Sequence, residues 1–218
     1  MKNNGYRELY IFGGGDFSKE ISDTLATLNR ERITYRLMGF IDDDPDKKGK
    51  LINGFEVLGD MNYFLGLKKE EKPHAVIGIS NPGVKERIAE KLEGKVVWAT
   101  LIHPSAVVSP HATIEEGCVV QPFAFISANV VLHRHSHVNV GACIGHDAIL
   151  GEYSSVMVHV NISGHSDIGR RVFVSSGVTT IPGISVGEGT LIGAGAVVTK
   201  DLPSGVKAYG NPCRLAEK

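Results

Sequence analysis

The sequence predicts a two-part chain: an α/β N-terminal Rossmann-like domain over residues 1–100, then a left-handed parallel β-helix over residues 101–218. Three observations predict it. Up to about residue 100, apolar runs alternate with helix-compatible stretches, the pattern of a small parallel α/β domain. The first of those runs ends in Gly13-Gly14-Gly15. From Ile102 onward an aliphatic residue returns at every sixth position, with no insertion, almost to the C-terminus.

In the first part, residues 7–12 (RELYIF) read as a strand running into the glycines, and a helix is expected from about Phe17 to Leu28. A second strand, Leu37–Ile41, ends in Asp42-Asp43-Asp44-Pro45. Later runs at His74–Ile79 and Val96–Leu101 flank a helical stretch near Val84–Leu92. A glycine turn between strand and helix lets backbone N–H groups face a phosphate, and acids at the end of the next strand can take a ribose or base. Gly13, Gly14, Gly15, Asp42 and Asp43 are therefore the candidate nucleotide-sugar site. The triplet lacks the full GxGxxG spacing and also suits a plain tight turn.

In the second part the register runs Ile102, Val108, Ile114, Val120 and so on to Val198, with Thr180 as its one departure. A second, mostly small register lies two residues earlier, at Ala106, Ala112, Cys118, Ala124 and their successors. A helix needs a period of about 3.6 and a hairpin sheet needs alternation, so a strict six fits neither. It fits a chain that turns a corner every six residues, with three short strands in each full coil. The aliphatic side chains then fill a triangular prism, each contributing roughly 1.5–3 kcal/mol on burial. Glycine and polar residues fall at the corners, as in Ile144-Gly145-His146-Asp147.

Composition excludes several classes. The 23 basic residues are matched by 24 acidic ones, so no polyanion partner is implied. No apolar run approaches the roughly 18 residues that span a bilayer, and the N-terminus carries no cleavage signal, which reads as cytoplasmic. The three cysteines show no CxxC spacing and read as free thiols.

The segments YIFGGGDFSKE, MGFIDDDPDKKG, LIHPSAVVSP, NVGACIGHDAILGEY and LIGAGAVVTKDLPSGVKAYGNPCR occur in an order that resembles one family. It is that of the bacterial sugar acetyltransferases, which includes UDP-4-amino-sugar N-acetyltransferases of bacillosamine synthesis and sialic acid O-acetyltransferases. The likeness covers nearly the whole chain. It implies a nucleotide-linked amino sugar on the N-terminal domain, acetyl-CoA on the β-helix, and a homotrimer with active sites between subunits. It also implies His146 as catalytic base, Asp147 as the carboxylate orienting it, and Asn139 as a polar residue near the reacting amine. Gly164 matches a backbone N–H near the acetyl carbonyl, and Ala194 matches backbone that meets the pantetheine arm. Two positions depart from the pattern, Phe17 and Ser155 standing where some members carry histidine; His159 and His165 lie close enough in sequence to replace the latter.

Coil arithmetic adds to this: residue i stacks on i+18, so His146 is expected beside Gly164 and Asp147 beside His165. A neutral imidazole can take the proton from an amine or hydroxyl attacking a thioester. No Ser or Cys nucleophile is needed, and Cys143 reads as a packing residue. Lys200, Lys207 and Arg214 are the candidates for the CoA phosphates. The tract His133-Arg134-His135-Ser136-His137 raises a zinc site of the γ-carbonic-anhydrase kind, but its register sends the rings to different positions, and no metal is expected. The functional expectation is N-acetylation of a nucleotide-linked 4-amino sugar, with sugar O-acetylation as the alternative and a metal-dependent hydratase third.

Overall fold

The computed structural model describes residues 5–30, 32–67 and 72–216. The chain divides into two compact units: residues up to 101 without 81–83, and residues 81–83 with 102 onward.

The first unit contains β1 (Arg7–Phe12), α1 (Asp16–Leu28), β2 (Tyr35–Ile41), β3 (Leu51–Ile52), β4 (Phe55–Gly59), α2 (Met61–Leu65), β5 (His74–Ile77), α3 (Pro82–Lys91) and β6 (Val97–Trp98). Its sheet has the order β3-β4-β2-β1-β5-β6, parallel except for the β3–β4 hairpin. β1 is the central strand, and Leu9 to Phe12 are all buried, as a parallel strand covered on both faces requires. The chain crosses from β1 to β2 on one side, and β5 lies on the other. That switch opens a crevice at the C-terminal ends of these strands.

Two elements depart from the sequence expectation. Asn53 (φ 47) and Gly54 (φ 84) form a two-residue left-handed turn, making a hairpin of β3 and β4 over residues to which the sequence expectation assigned no element. The expected strand over Val96–Leu101 is two short pieces, β6 in the α/β sheet and Leu101–Ile102 in the first sheet of the β-helix.

The second unit is a parallel β-helix of three sheets with eight, six and five strands, here called the first, second and third sheets. Nearly all of its strands are as short as Val119–Val120, and each pairs with the strand one full coil away, as in Val119↔His137↔Ser155↔Phe173. Between strands the chain turns through one left-handed residue, and these recur every sixth position from Gly117 (φ 73) to Gly195 (φ 68). The non-glycine members are Phe123, Asn129, His135, Asp147, Tyr153, His159, His165 and Arg171. None is β-branched, which is the side-chain type most strained at positive φ. From His135 to Gly195 each turn is closed by a corner N–H to a carbonyl on the preceding coil, as in Asp147 to Ala128 and His165 to His146, both at 2.9 Å.

The aliphatic register from Val120 to Val198 and the small register from Cys118 to Ala196 are buried together, while Ile102, Val108 and Ile114 of the first coil are only half-buried. Thr180, the ladder's exception, is also buried. Strands 207–209 and 214–215 close the first sheet as an antiparallel pair. No helix among the described residues is long and apolar enough to cross a membrane. Leu132 is fully buried within the prism. Leu132→Ala should destabilise by about 2–5 kcal/mol, read as a lowered denaturant midpoint.

Candidate active site

The strand Cys143–Ile144 delivers the chain to Gly145, where a Cβ would stand 2.5 Å from the Gly164 nitrogen. Only glycine lets the two coils stack here. His146 follows and projects outward, its side chain 58% exposed, with Nδ1 2.8 Å from Asp147 Oδ2. Asn129 Nδ2 donates to the other Asp147 oxygen at 3.0 Å. The hydrogen bond from His146, then that from Asn129, holds the Asp147 carboxyl below its ordinary range. An ionised carboxylate only accepts, so Nδ1 carries the proton and the Nε2 lone pair is free. A Cβ on Gly164 would fall 2.8 Å from His146 Nε2 and Cε1, which puts the free lone pair against this glycine. Gly164 is buried, and its N–H has no protein acceptor among the described residues. A lone pair seeking a proton thus lies beside an unused donor.

His165 closes the cluster, its ring edge-on to His146 at 4.9 Å and Nε2 3.9 Å from Asp147 Oδ2. Ligand atoms of His146, Asp147 and His165 lie within 4.8 Å of one another, so this group can hold a metal ion. The histidine tract does not converge. His133 Nδ1 meets Glu115 at 3.0 Å, His135 is buried and stacked on Tyr153 at 5.3 Å, and His137 is buried in its own strand. Cys143 is half-buried, and burial pushes its thiol up, away from the thiolate an acyl carrier needs.

Of the remaining candidates, Asn139, Ala194 and Lys200 fall on two edges of the prism, and Arg214 lies in the last strand of the first sheet. Asn139 is buried at the corner between the first and second sheets, its Oδ1 accepting the Val140 N–H at 2.7 Å. Ala194 lies on that same edge, exposed, after the strand Leu191–Ile192. Lys200 is exposed on the other edge, two residues past Val198, which pairs with Thr180; it therefore continues the column of His146 and Gly164. Arg214 is exposed and donates to the Cys213 carbonyl at 2.9 Å. Within one chain, Asn139 and His146 are held one corner apart. His159, at a left-handed corner on the Asn139 edge, is likewise away from His146, whereas His165 adjoins it.

In the first unit, Gly13 has φ 110 and a Cβ there would meet Ile79 at 2.6 Å, so the turn requires glycine. The Gly14 N–H donates to Asp42 Oδ2 at 2.6 Å, and Gly15 caps α1 with no side-chain bond and open space before it. Asp42 also accepts from the Asp44 N–H at 2.9 Å and from Lys47 at 3.0 Å. Burial would raise its carboxyl, but these three donors outweigh it and hold the group below its ordinary value. Asp43 Oδ1 accepts the Met61 N–H at the start of α2 at 3.0 Å. Both acids thus fix the rim of the crevice as well as lining it. A cavity of about 190 Å³ opens there, bounded by Gly13, Asp42, Asp43, Ile79, Arg87 and Lys91. Sequence reading missed Arg87 and Lys91; their i,i+4 spacing on a helix was the available signal.

Residues 8–92 match the family described as the PglD N-terminal domain. Along its length the chain is 34% identical over 216 residues to GDP-perosamine N-acetyltransferase of Escherichia coli O157:H7, covering 94% of each. The acetyltransferase domain of PglB from Neisseria gonorrhoeae FA1090, in complex with acetyl coenzyme A, matches with TM-score 0.87 and 30% identity over 97% of this chain and 100% of that one. PerB from Caulobacter crescentus, in complex with CoA and GDP-perosamine, matches with TM-score 0.84 and 28% identity over 96% and 97%. On likeness of this extent in both units, the chain belongs to the family of sugar N-acetyltransferases that joins a PglD-type N-terminal domain to a hexapeptide-repeat β-helix.

Proposed function

We propose that the chain is a cytoplasmic, homotrimeric acetyltransferase that moves the acetyl group of acetyl-CoA to the amino group of a nucleotide-linked 4-amino sugar. The observation that carries this is the Nε2 of His146 set over Gly164, whose N–H has no protein acceptor among the described residues, with Asp147 fixing the ring from behind. The sugar nitrogen attacks the thioester carbonyl; the C–N bond forms, the C–S bond breaks, and the amine proton passes to Nε2. The imidazolium then returns that proton to the departing CoA sulfur. Gly164 N–H stabilises the oxyanion, a role worth about 10²–10³-fold in comparable sites. No acyl-enzyme is formed.

The two-edge arrangement supports a trimer. Asn139 and Ala194 share one edge, while His146, Gly164 and Lys200 share the next, so one prism does not close the site alone. The face between those edges carries Val107, Phe123, Phe125 and Ile181, which are 60%, 72%, 43% and 43% exposed. A second copy that lays its Asn139 edge against the His146 edge covers these residues, and three such contacts close a ring. CoA then runs along the paired edges with its phosphates toward Lys200 and Arg214. On the first unit, the Gly13–Gly15 turn and the free start of α1 suit a diphosphate, with Arg87 and Lys91 supplying positive charge. The perosamine-linked names of the relatives favour an amine acceptor over a hydroxyl. A metal-dependent hydratase would use the His146, Asp147 and His165 group but leaves the glycine crevice without a role.

His146→Ala should lower kcat by about 10²–10⁴-fold with little change in either KM, because a general base acts on the proton in flight. Raising the pH should partly rescue this variant with an amine acceptor, and much less with a hydroxyl one. Asp147→Asn should cost less than His146→Ala. Asp147, held below its usual range, stays ionised well into acid, so a loss of wild-type kcat as the pH falls should trace to the base and not to this carboxylate. An acid limb unchanged in His146→Ala contradicts the assignment.

Gly164→Ala places a methyl group against the His146 ring, which is exposed enough to swing aside. Thermal stability should barely move while kcat drops at least about tenfold, since a base shifted by about 1 Å loses its attack geometry. Asp42→Ala should raise KM for the sugar nucleotide and leave that for acetyl-CoA unchanged. Sedimentation should give a trimer at micromolar concentration; a stable monomer contradicts the two-edge site.

A further inference from the structure

At each sixth residue from His103 to Ile181 the main-chain N–H donates to a carbonyl at the matching strand end of the following coil, tying each coil to the next: His133 to Leu150, Gly145 to Ile162, Met157 to Val174. Among the described residues the exception in this series is Ser163. Its N–H goes to the Thr180 hydroxyl at 2.9 Å, and its own hydroxyl reaches the Thr180 carbonyl at 2.5 Å. The main-chain bond of the ladder is thus replaced by two bonds through side chains. The strands beside it keep one register pair, Asn161↔Thr179, where their neighbours keep two.

Packing does not demand this. Thr180 is 1% exposed in a column otherwise filled by valine and isoleucine, and valine has the same shape without the hydroxyl. The hydroxyl matters for what it does to Ser163, the residue immediately before Gly164. With a side chain interposed, the Ser163–Gly164 peptide is held through the Thr180 hydroxyl, where the equivalent positions are held main chain to main chain. That peptide carries the buried, unused N–H beside His146 Nε2.

We infer that Thr180 is a positioning residue: with Ser163 it aims the Gly164 N–H at the acetyl carbonyl of acetyl-CoA. This rests on the acetyltransferase reading above and extends it to a residue buried in the core, out of reach of either substrate.

Thr180→Val tests it. Without the hydroxyl, Ser163 regains the ordinary ladder bond and the Gly164 N–H turns away. kcat should fall about 10–100-fold, short of full loss of an oxyanion donor. The KM for the sugar nucleotide and the acid limb of the pH profile should stay as in wild type, because the base is untouched. Thermal stability should hold or rise, since an apolar residue now fills an apolar column. Thr180→Ser keeps the hydroxyl and should retain kcat within about threefold of wild type despite a lower Tm. A second measurement is independent of the sugar: calorimetric titration with acetyl-CoA and with CoA. Wild type should bind acetyl-CoA the more tightly, and Thr180→Val should lose that preference. Wild-type kcat in Thr180→Val, equal losses in Thr180→Ser and Thr180→Val, or an unchanged acetyl-CoA preference overturns the inference. Failure of the wild-type protein to acetylate any sugar nucleotide overturns the functional reading instead, and the titration still decides whether Thr180 governs the acetyl contact.

Discussion

The structure of the second unit depends on a single backbone constraint, one left-handed residue at every sixth position, with each corner stacked on the equivalent corner of the neighbouring coil. Left-handed residues cost roughly 1–2 kcal/mol each unless they are glycine, asparagine or aspartate. The corner hydrogen bonds and the buried aliphatic ladder offset that cost. Because the turn recurs at fixed phase, the residue just before it always faces outward. His146 occupies such a position, and Asp147 is the left-handed residue itself. The proposed catalytic pair is thus an outcome of the repeat: the side chains of adjacent corner residues are held 2.8 Å apart because the corner fixes both their backbones.

The same constraint decides where binding can occur. Interior positions are filled with aliphatic side chains, so a ligand meets only faces and edges, and edges are where the ladder leaves N–H groups unused. Gly164 combines such an N–H with the absence of a side chain. The first unit works differently. There the charge of Asp42 is taken up by the Gly14 N–H and Lys47, which fixes the glycine turn. Its depressed carboxyl adds stability above the unfolded value near 3.9 and loses it as pH falls through the lower folded value. The turn therefore keeps its shape throughout the range in which a histidine base can operate.

Much of this was legible in the sequence, for a physical reason. A six-residue period has no competing explanation among common folds, so coil stacking and the adjacency of His146 to Gly164 follow from counting. The hairpin at Asn53-Gly54 was legible in principle, since Asn-Gly between apolar residues is a strong turn signal. It was missed because its strands, at two and five residues, are too short for an alternation pattern. Arg87 and Lys91 were missed because exposed cations on a helix look alike until the strand ends show which of them face a crevice. Thr180 was visible only as a blemish in the ladder; its bond to Ser163 is not recoverable from periodicity, which fixes register but not which atom accepts a proton.

The column that begins at His146 gives a last step. Gly164, Pro182 and Lys200 follow it, each one coil beyond the last, so Lys200 stands three coil spacings from His146. Neighbouring strands are about 4.7–4.9 Å apart, so His146 and Lys200 stand roughly 14 Å apart along the edge. On the proposed reading, the thioester must lie at His146 and the phosphates at the basic tail, and an extended pantetheine arm is of that order of length. The number of coils after the catalytic corner then answers to a chemical distance. Removing one coil would preserve the ladder, the corners and the register while bringing the phosphate cation about 5 Å nearer the base. On that reading, the number of coils after His146 is matched to the cofactor that spans them as well as to the core they bury.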